Sequence, residues 1–162
     1  MKRLLPLFLL SLVLGGASAR GAQPAPSPSD PVNGFLAAMS NADSDAMAAL
    51  YTDDATVFMP FDAVPSRLAG KAQIREVFEK FFAGVRKSGK PPYMNLNPRD
   101  LQTQLLGDTA IITFHLGAVP ADDATEPANF SRRTFVVTKK GGRWLIAHLH
   151  ASNMKLQPKK KE

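Results

Sequence analysis

FSRRTFVVTKKGGRWLIAHLHASN, residues 130–153, is the stretch on which the fold turns. Two runs rich in β-branched and aromatic residues, Phe130–Thr138 and Arg143–Asn153, flank Lys139-Lys140-Gly141-Gly142. Paired glycines adopt the positive φ of a tight hairpin turn without a Cβ clash, so two antiparallel strands are predicted. The second run is apolar on both parities, with Trp144 and Ile146 on one and Leu145, Ala147, Leu149 and Ala151 on the other. A strand of that kind needs a cover on each face.

Working upstream, Leu96–Leu106 and Thr109–Gly117 flank the turn Gly107-Asp108 and read as two further strands, and Ala118–Ala128 as a polar loop. Lys71–Lys87 is helical: Ile74, Val77, Phe78, Phe81, Phe82 and Val85 form one apolar stripe, with Glu76 and Lys80 on the other side. Ala55–Met59 is a strand stopped by Pro60, and Phe35, Leu36, Met39 and Met47, Leu50, Tyr51 mark two short helices, the second capped by Asp43 or Ser44. This order predicts an α+β fold, a curved antiparallel sheet wrapped on one face by about three N-terminal helices to make a cone with an internal pocket. The helices cover one face of the last strand, and a second copy of the chain is the expected cover of the other, which makes the protein a homodimer.

The ends carry separate information. Lys2 and Arg3 precede the apolar run Leu4–Leu14, and Gly15-Gly16-Ala17-Ser18-Ala19 supplies an A-x-A cleavage site, so residues 1–19 read as a signal peptide. The run is shorter than the ~20 residues of a spanning helix. Residues 20–31 (RGAQPAPSPSDP) read as a flexible linker, 32–156 as the folded domain and 157–162 as a basic tail, placing the protein in the periplasm or secreted. The net charge of +6 lies mostly outside the domain: two positive charges sit in the leader, and four lysines stand with one glutamate from Lys155 to Glu162. A near-neutral domain is not a nucleic-acid binder, and four lysines without an amphipathic helix give no stable membrane anchor. The absence of cysteine excludes disulfides, thiol catalysis and thiolate metal sites.

Few side chains suggest chemistry. Tyr51, Asp54, His115 and Arg133 are the candidate catalytic residues. Tyr51 reads either as a ligand-orienting group or as a core tyrosine with a satisfied hydroxyl. Adjacent Asp53 and Asp54 point apart and read as a strand-entry signal. Arg133 would hold an acidic ligand group if it pointed inward. His148 and His150, two apart on a strand, share a side with Trp144, Ile146 and Ser152. They are read as structural, with no metal and no cofactor expected.

The element order, together with Asn41-Ala42-Asp43, Leu50-Tyr51-Thr52-Asp53-Asp54-Ala55-Thr56-Val57 and Gly70-Lys71-Ala72-Gln73-Ile74-Arg75, resembles the nuclear-transport-factor-two-like superfamily, which includes SnoaL-like polyketide cyclases and ketosteroid isomerases. Trp144-Leu145-Ile146-Ala147-His148-Leu149-His150-Ala151-Ser152 is similar to the end of the calcium/calmodulin-dependent protein kinase II association domain. The resemblance places the isomerase tyrosine at Phe35 and its proton-moving aspartate at Met59, and neither side chain can perform that chemistry. It places two pocket arginines of the association domain at Phe135 and Ala151. The implied pocket is apolar, lined by Phe35, Met59, Phe135, Leu145, Ala147 and Leu149, and the implied dimer interface holds Trp144, Ile146, His148 and His150. The expected function is binding of a small, mainly apolar molecule. An isomerase, cyclase or hydrolase using Tyr51, Asp54, His115 or Arg133 is the alternative.

Overall fold

Asp30 and Pro31 start the first helix, α1 (Asp30–Asn41), with the proline in the first turn, where its missing N–H leaves no bond unmade. The helix therefore begins two residues before the expected domain boundary at 32. The computed structural model describes residues 25–60, 66–120, 122–123, 127 and 129–154. The leader and the tail after 156 lie outside the described residues.

Ala42 ends α1 in the left-handed region at φ 51°. Asp43 then caps α2 (Ser44–Ala48), its carboxylate accepting from the Asp45 and Ala46 backbone N–H groups at 3.1 and 2.9 Å. Ser44, the other candidate cap, is buried and donates to Glu79 Oε2 on α3 (Lys71–Val85) at 2.6 Å. Arg86 also binds Glu79 and donates to the Ala42 carbonyl at 2.8 Å, tying the end of α3 to the α1–α2 corner. Within α3, Ile74, Phe78 and Phe82 are buried as the stripe requires, while Phe81 stays on the surface.

The strands are β1 (Tyr51–Phe58), β2 (Leu68–Ala69), β3 (Met94–Leu106), β4 (Thr109–Pro120), β5 (Phe130–Lys140) and β6 (Arg143–Asn153). They form one sheet in the order β2-β1-β6-β5-β4-β3, with β2 and β3 as its edges among the described residues. The sheet is mixed rather than wholly antiparallel, because β1 lies parallel to β6. That pairing joins the two ends of the domain, so no hairpin imposes its direction. Gly141 and Gly142, at φ 57° and 77°, make the β5–β6 turn, with Lys140 opposite Arg143.

Register shifts interrupt β1, β3 and the β5–β6 ladder, and such bulges bend a sheet into a curled shape. The concave face holds Ala110, Ile112, Phe114 and Leu116 of β4, Phe135 and Val137 of β5, and Ile146, Leu149 and Ala151 of β6, all buried. Phe35 of α1 fits over them, its ring centroid 5.2 Å from Phe135 and 6.4 Å from Phe78.

Gly117, near the end of β4, is required by close approach. A Cβ there would lie 2.6 Å from Pro127 Cβ and 2.9 Å from Phe130 Cε1. Gly117→Ala is expected to cost about 1–2 kcal/mol of unfolding free energy, because a proline ring cannot swing aside. Urea denaturation measures it, and an unchanged midpoint would show that Pro127 does not pack there.

Candidate functional site

On β5 the residues Ser131, Arg133, Phe135 and Val137 share the concave face. Arg133 is the one charge among them. Its Nε donates to Ser131 Oγ at 3.1 Å, and its guanidinium carbon lies 6.0 Å from the Phe35 ring centroid. Ser131 in turn donates to the Leu116 carbonyl at 3.1 Å. Although Arg133 keeps some exposed surface, its surroundings are dense enough that burial pulls the guanidinium down to about 10. It stays charged at neutral pH, and among the described residues no carboxylate pairs with it.

Tyr51, at the start of β1, lies in the field of that guanidinium. It is 0% exposed, so of its two readings the core one fits, but its hydroxyl has no hydrogen-bond partner among the described residues. Burial pushes the phenol well above its usual range, so Tyr51 remains neutral.

Where β4 ends, β5 begins and β6 ends, a hollow of about 440 Å³ is lined by Leu116, Ala118, Asn129, Phe130, Ser131, Asn153 and Met154. Ser131 therefore touches both the hollow and Arg133. Sequence reasoning named Arg133 but missed Ser131, Leu116 and Met154. An arginine two residues from Phe135, on the apolar parity of β5, was the available signal.

The other candidates lie elsewhere. Asp54 is exposed, 3.9 Å from Lys140. His115 is on the convex face opposite Arg132, 3.9 Å from Asp100, in a shallow depression with Thr113 and Thr134. Tyr51 and Arg133 are thus brought together and Asp54 stands apart, while the depression that holds His115 is also lined by Asp100, Phe114, Arg132 and Arg133. No group of three or more metal-ligating side chains occurs among the described residues, and no described helix is long and apolar enough to cross a membrane.

The expected lining needs correction. Phe35, Phe135 and Leu149 are 1%, 0% and 0% exposed, so they fill the cone interior rather than border a void. Met59 is half-buried beyond the end of β1. Leu145 is opposite Thr138 on the convex face, and Ala147 is the bulged residue between Ile146 and His148. The same bulge divides the expected interface. Trp144 and Ile146 face inward, with the Trp144 Nε1 donating to the Pro26 carbonyl at 3.3 Å, while His148 and His150 face outward beside Phe58.

His148 Nδ1 is 2.8 Å from Thr56 Oγ1, and burial first, then the neighbouring His150, holds its pKa below the usual 6.5. The folded protein therefore takes up this proton less readily than the unfolded chain. Its contribution to stability is present above about pH 6.5 and is lost as pH falls below that value. The urea midpoint is expected to rise between about pH 5.5 and 7.5, and the rise to shrink in His148→Gln. Identical pH profiles for the two proteins would exclude this origin.

The profile of the SnoaL-like domain matches residues 30–156. The chain belongs to the SnoaL-like family. Solved structures agree on the fold. An NTF2-like protein of unknown function from Pseudomonas putida superposes with a TM-score of 0.65 at 22% identity, over 81% of this chain and 87% of that one. A Thiobacillus denitrificans protein provisionally named a calcium/calmodulin-dependent protein kinase type II association domain gives 0.67 at 20% identity, over 82% and 100%. A Parabacteroides distasonis protein provisionally named a ketosteroid isomerase gives 0.60 at 20%, over 76% and 85%. No curated protein matches the chain.

Proposed function

We propose that this SnoaL-like domain is exported, forms a homodimer through the convex face of its sheet, and holds a small, mainly apolar molecule in the hollow at the end of β4, β5 and β6. It is not a ketosteroid isomerase. The observation that carries the reading is the hollow itself, walled by Leu116, Ala118, Phe130 and Met154 together with the polar Asn129, Ser131 and Asn153. The imidazole and carboxylate that an alternative enzyme would use, His115 and Asp54, stand away from it. Phe58, half-exposed Ile111, Val136 and Leu145, and the two outward histidines support the homodimer, since together they make a convex face of mixed apolar and polar groups. The basic start, Leu4–Leu14 and Ala17-Ser18-Ala19 support export.

Native mass spectrometry of the protein purified from its own source tests all three. The expected spectrum shows a dimer of chains beginning at Arg20, each carrying a small organic ligand. A monomer, a retained leader, or a protein that carries no ligand and takes up none would each overturn the corresponding part.

A further inference from the structure

We infer that the depression between Asp100 and Arg132 on the convex face binds a small zwitterion, a molecule with an ammonium and a carboxylate a few bonds apart. None of its lining residues is among those named above for the hollow or for the dimer, so this site goes beyond that reading. Its volume is about 200 Å³, room for roughly seven waters at ~30 Å³ each. The Phe114–Arg133 pair forms the floor. Two neighbouring rows in register form the walls, Thr113–Thr134 on one side and His115–Arg132 on the other. Asp100 closes the end at β3.

Asp100 reaches this place through a bulge in β3. Arg99 is opposite His115 and Gln102 opposite Thr113, so two residues on β3 face one on β4. Asp100 takes a φ of 53°, a left-handed conformation that costs energy for a residue with a Cβ, and bulges of this kind re-aim a side chain. Its Oδ2 lies 3.9 Å from His115 Nδ1, too far for a hydrogen bond, and its Oδ1 has Gln102 Nε2 at 3.4 Å. Arg132, on the other side of His115, makes no hydrogen bond or ion pair among the described residues. Arg99 is held elsewhere, over the Phe130 ring at 4.8 Å with its Nε donating to Asn97 Oδ1 at 3.3 Å, and does not line the depression.

The two charges select the ligand. A simple anion on Arg132 would face the Asp100 carboxylate, and a simple cation on Asp100 would face the guanidinium. A zwitterion satisfies both ends with charge-assisted bonds, and Thr113, Thr134 and His115 offer further donors and acceptors between them. Strand spacing sets its length. β3 and β5 lie two steps of ~4.8 Å apart, and the arginine arm spans part of that, which leaves about two to four carbons between the ligand's charges.

NMR titration of the purified chain, read on the His115 imidazole, tests this. The probes are β-alanine, γ-aminobutyrate and δ-aminovalerate, each against the plain carboxylate and the plain alkylamine of equal length. At its best length the amino acid is expected to bind about three- to tenfold tighter than either singly charged analogue, the modest gain of partly exposed ion pairs. Asp100→Asn keeps a residue that tolerates the left-handed backbone and should reduce the amino acid to the affinity of the carboxylate. Arg132→Gln should reduce it to that of the amine. Both side chains are exposed, so the urea midpoints of the two variants should match the parent's. A variant that does not fold would make its residue structural and overturn the inference. A carboxylate or an amine that binds as tightly as the amino acid would overturn the zwitterion assignment. Binding that survives both substitutions, or no shift of His115 across the series, would overturn the site itself and leave the hollow untouched.

Discussion

Phe135→Ala is expected to remove about 3–5 kcal/mol of unfolding free energy, a large part of the ~5–15 kcal/mol that holds a domain of ordinary stability together. Phe135 sits where the helices meet the sheet, fully buried, with its ring centroid 5.2 Å from Phe35 on one side and 5.2 Å from Phe114 on the other, both edge to face. Truncation removes the transfer energy of the ring and leaves a void that Phe35 and Phe114, themselves held by backbone on separate elements, cannot both collapse into. Urea unfolding followed by far-UV circular dichroism measures the loss. The control is Phe58→Ala on the convex face, where 38% of the residue is already exposed and less should be lost in the monomer. A loss at position 135 under about 1 kcal/mol would mean that the interior is not packed as described.

Tyr51→Phe is expected to act in the opposite direction, raising the unfolding free energy by about 1–3 kcal/mol. In the unfolded chain the hydroxyl is bonded to water. In the fold it is buried with no partner among the described residues and in the field of a cation, so its desolvation is uncompensated. Removing one oxygen leaves the ring packing unchanged. The same denaturation measurement reports it, and a destabilised Tyr51→Phe would show that the hydroxyl has an acceptor in solution.

How much of this was legible beforehand follows from the range of the interactions that decide each feature. The Gly141-Gly142 hairpin, the stripe on Lys71–Val85 and the helix stop at Asn41-Ala42-Asp43 depend on neighbours within a few positions, and each stands where the residues put it. The concave and convex faces of β6 were assigned by strict alternation, which holds within an uninterrupted strand. The register shift between Val136 and Val137 inserts Ala147 and moves every later residue to the opposite face, so Trp144 and Ile146 join the core and His148 does not. Nothing in Trp144-Leu145-Ile146-Ala147-His148 marks that insertion, because a strand apolar on both parities tolerates either register.

Arg133 shows the same division. Alternation with Phe135 pointed it inward, but its missing carboxylate depends on what α1, β1 and β4 bring to its surroundings. By itself the sequence determined the three helices, five of the six strands and their order, and so the family fold, since these rest on periodicity and turn chemistry along the chain, whereas the two-residue β2 and the start of β1 at Tyr51, read as the end of a helix, carry no such local signal. The parallel β1–β6 pairing, the bulge that sorts the last strand, and the desolvated guanidinium near the buried Tyr51 were decided by the tertiary structure, because each depends on which residues from distant parts of the chain come to lie side by side.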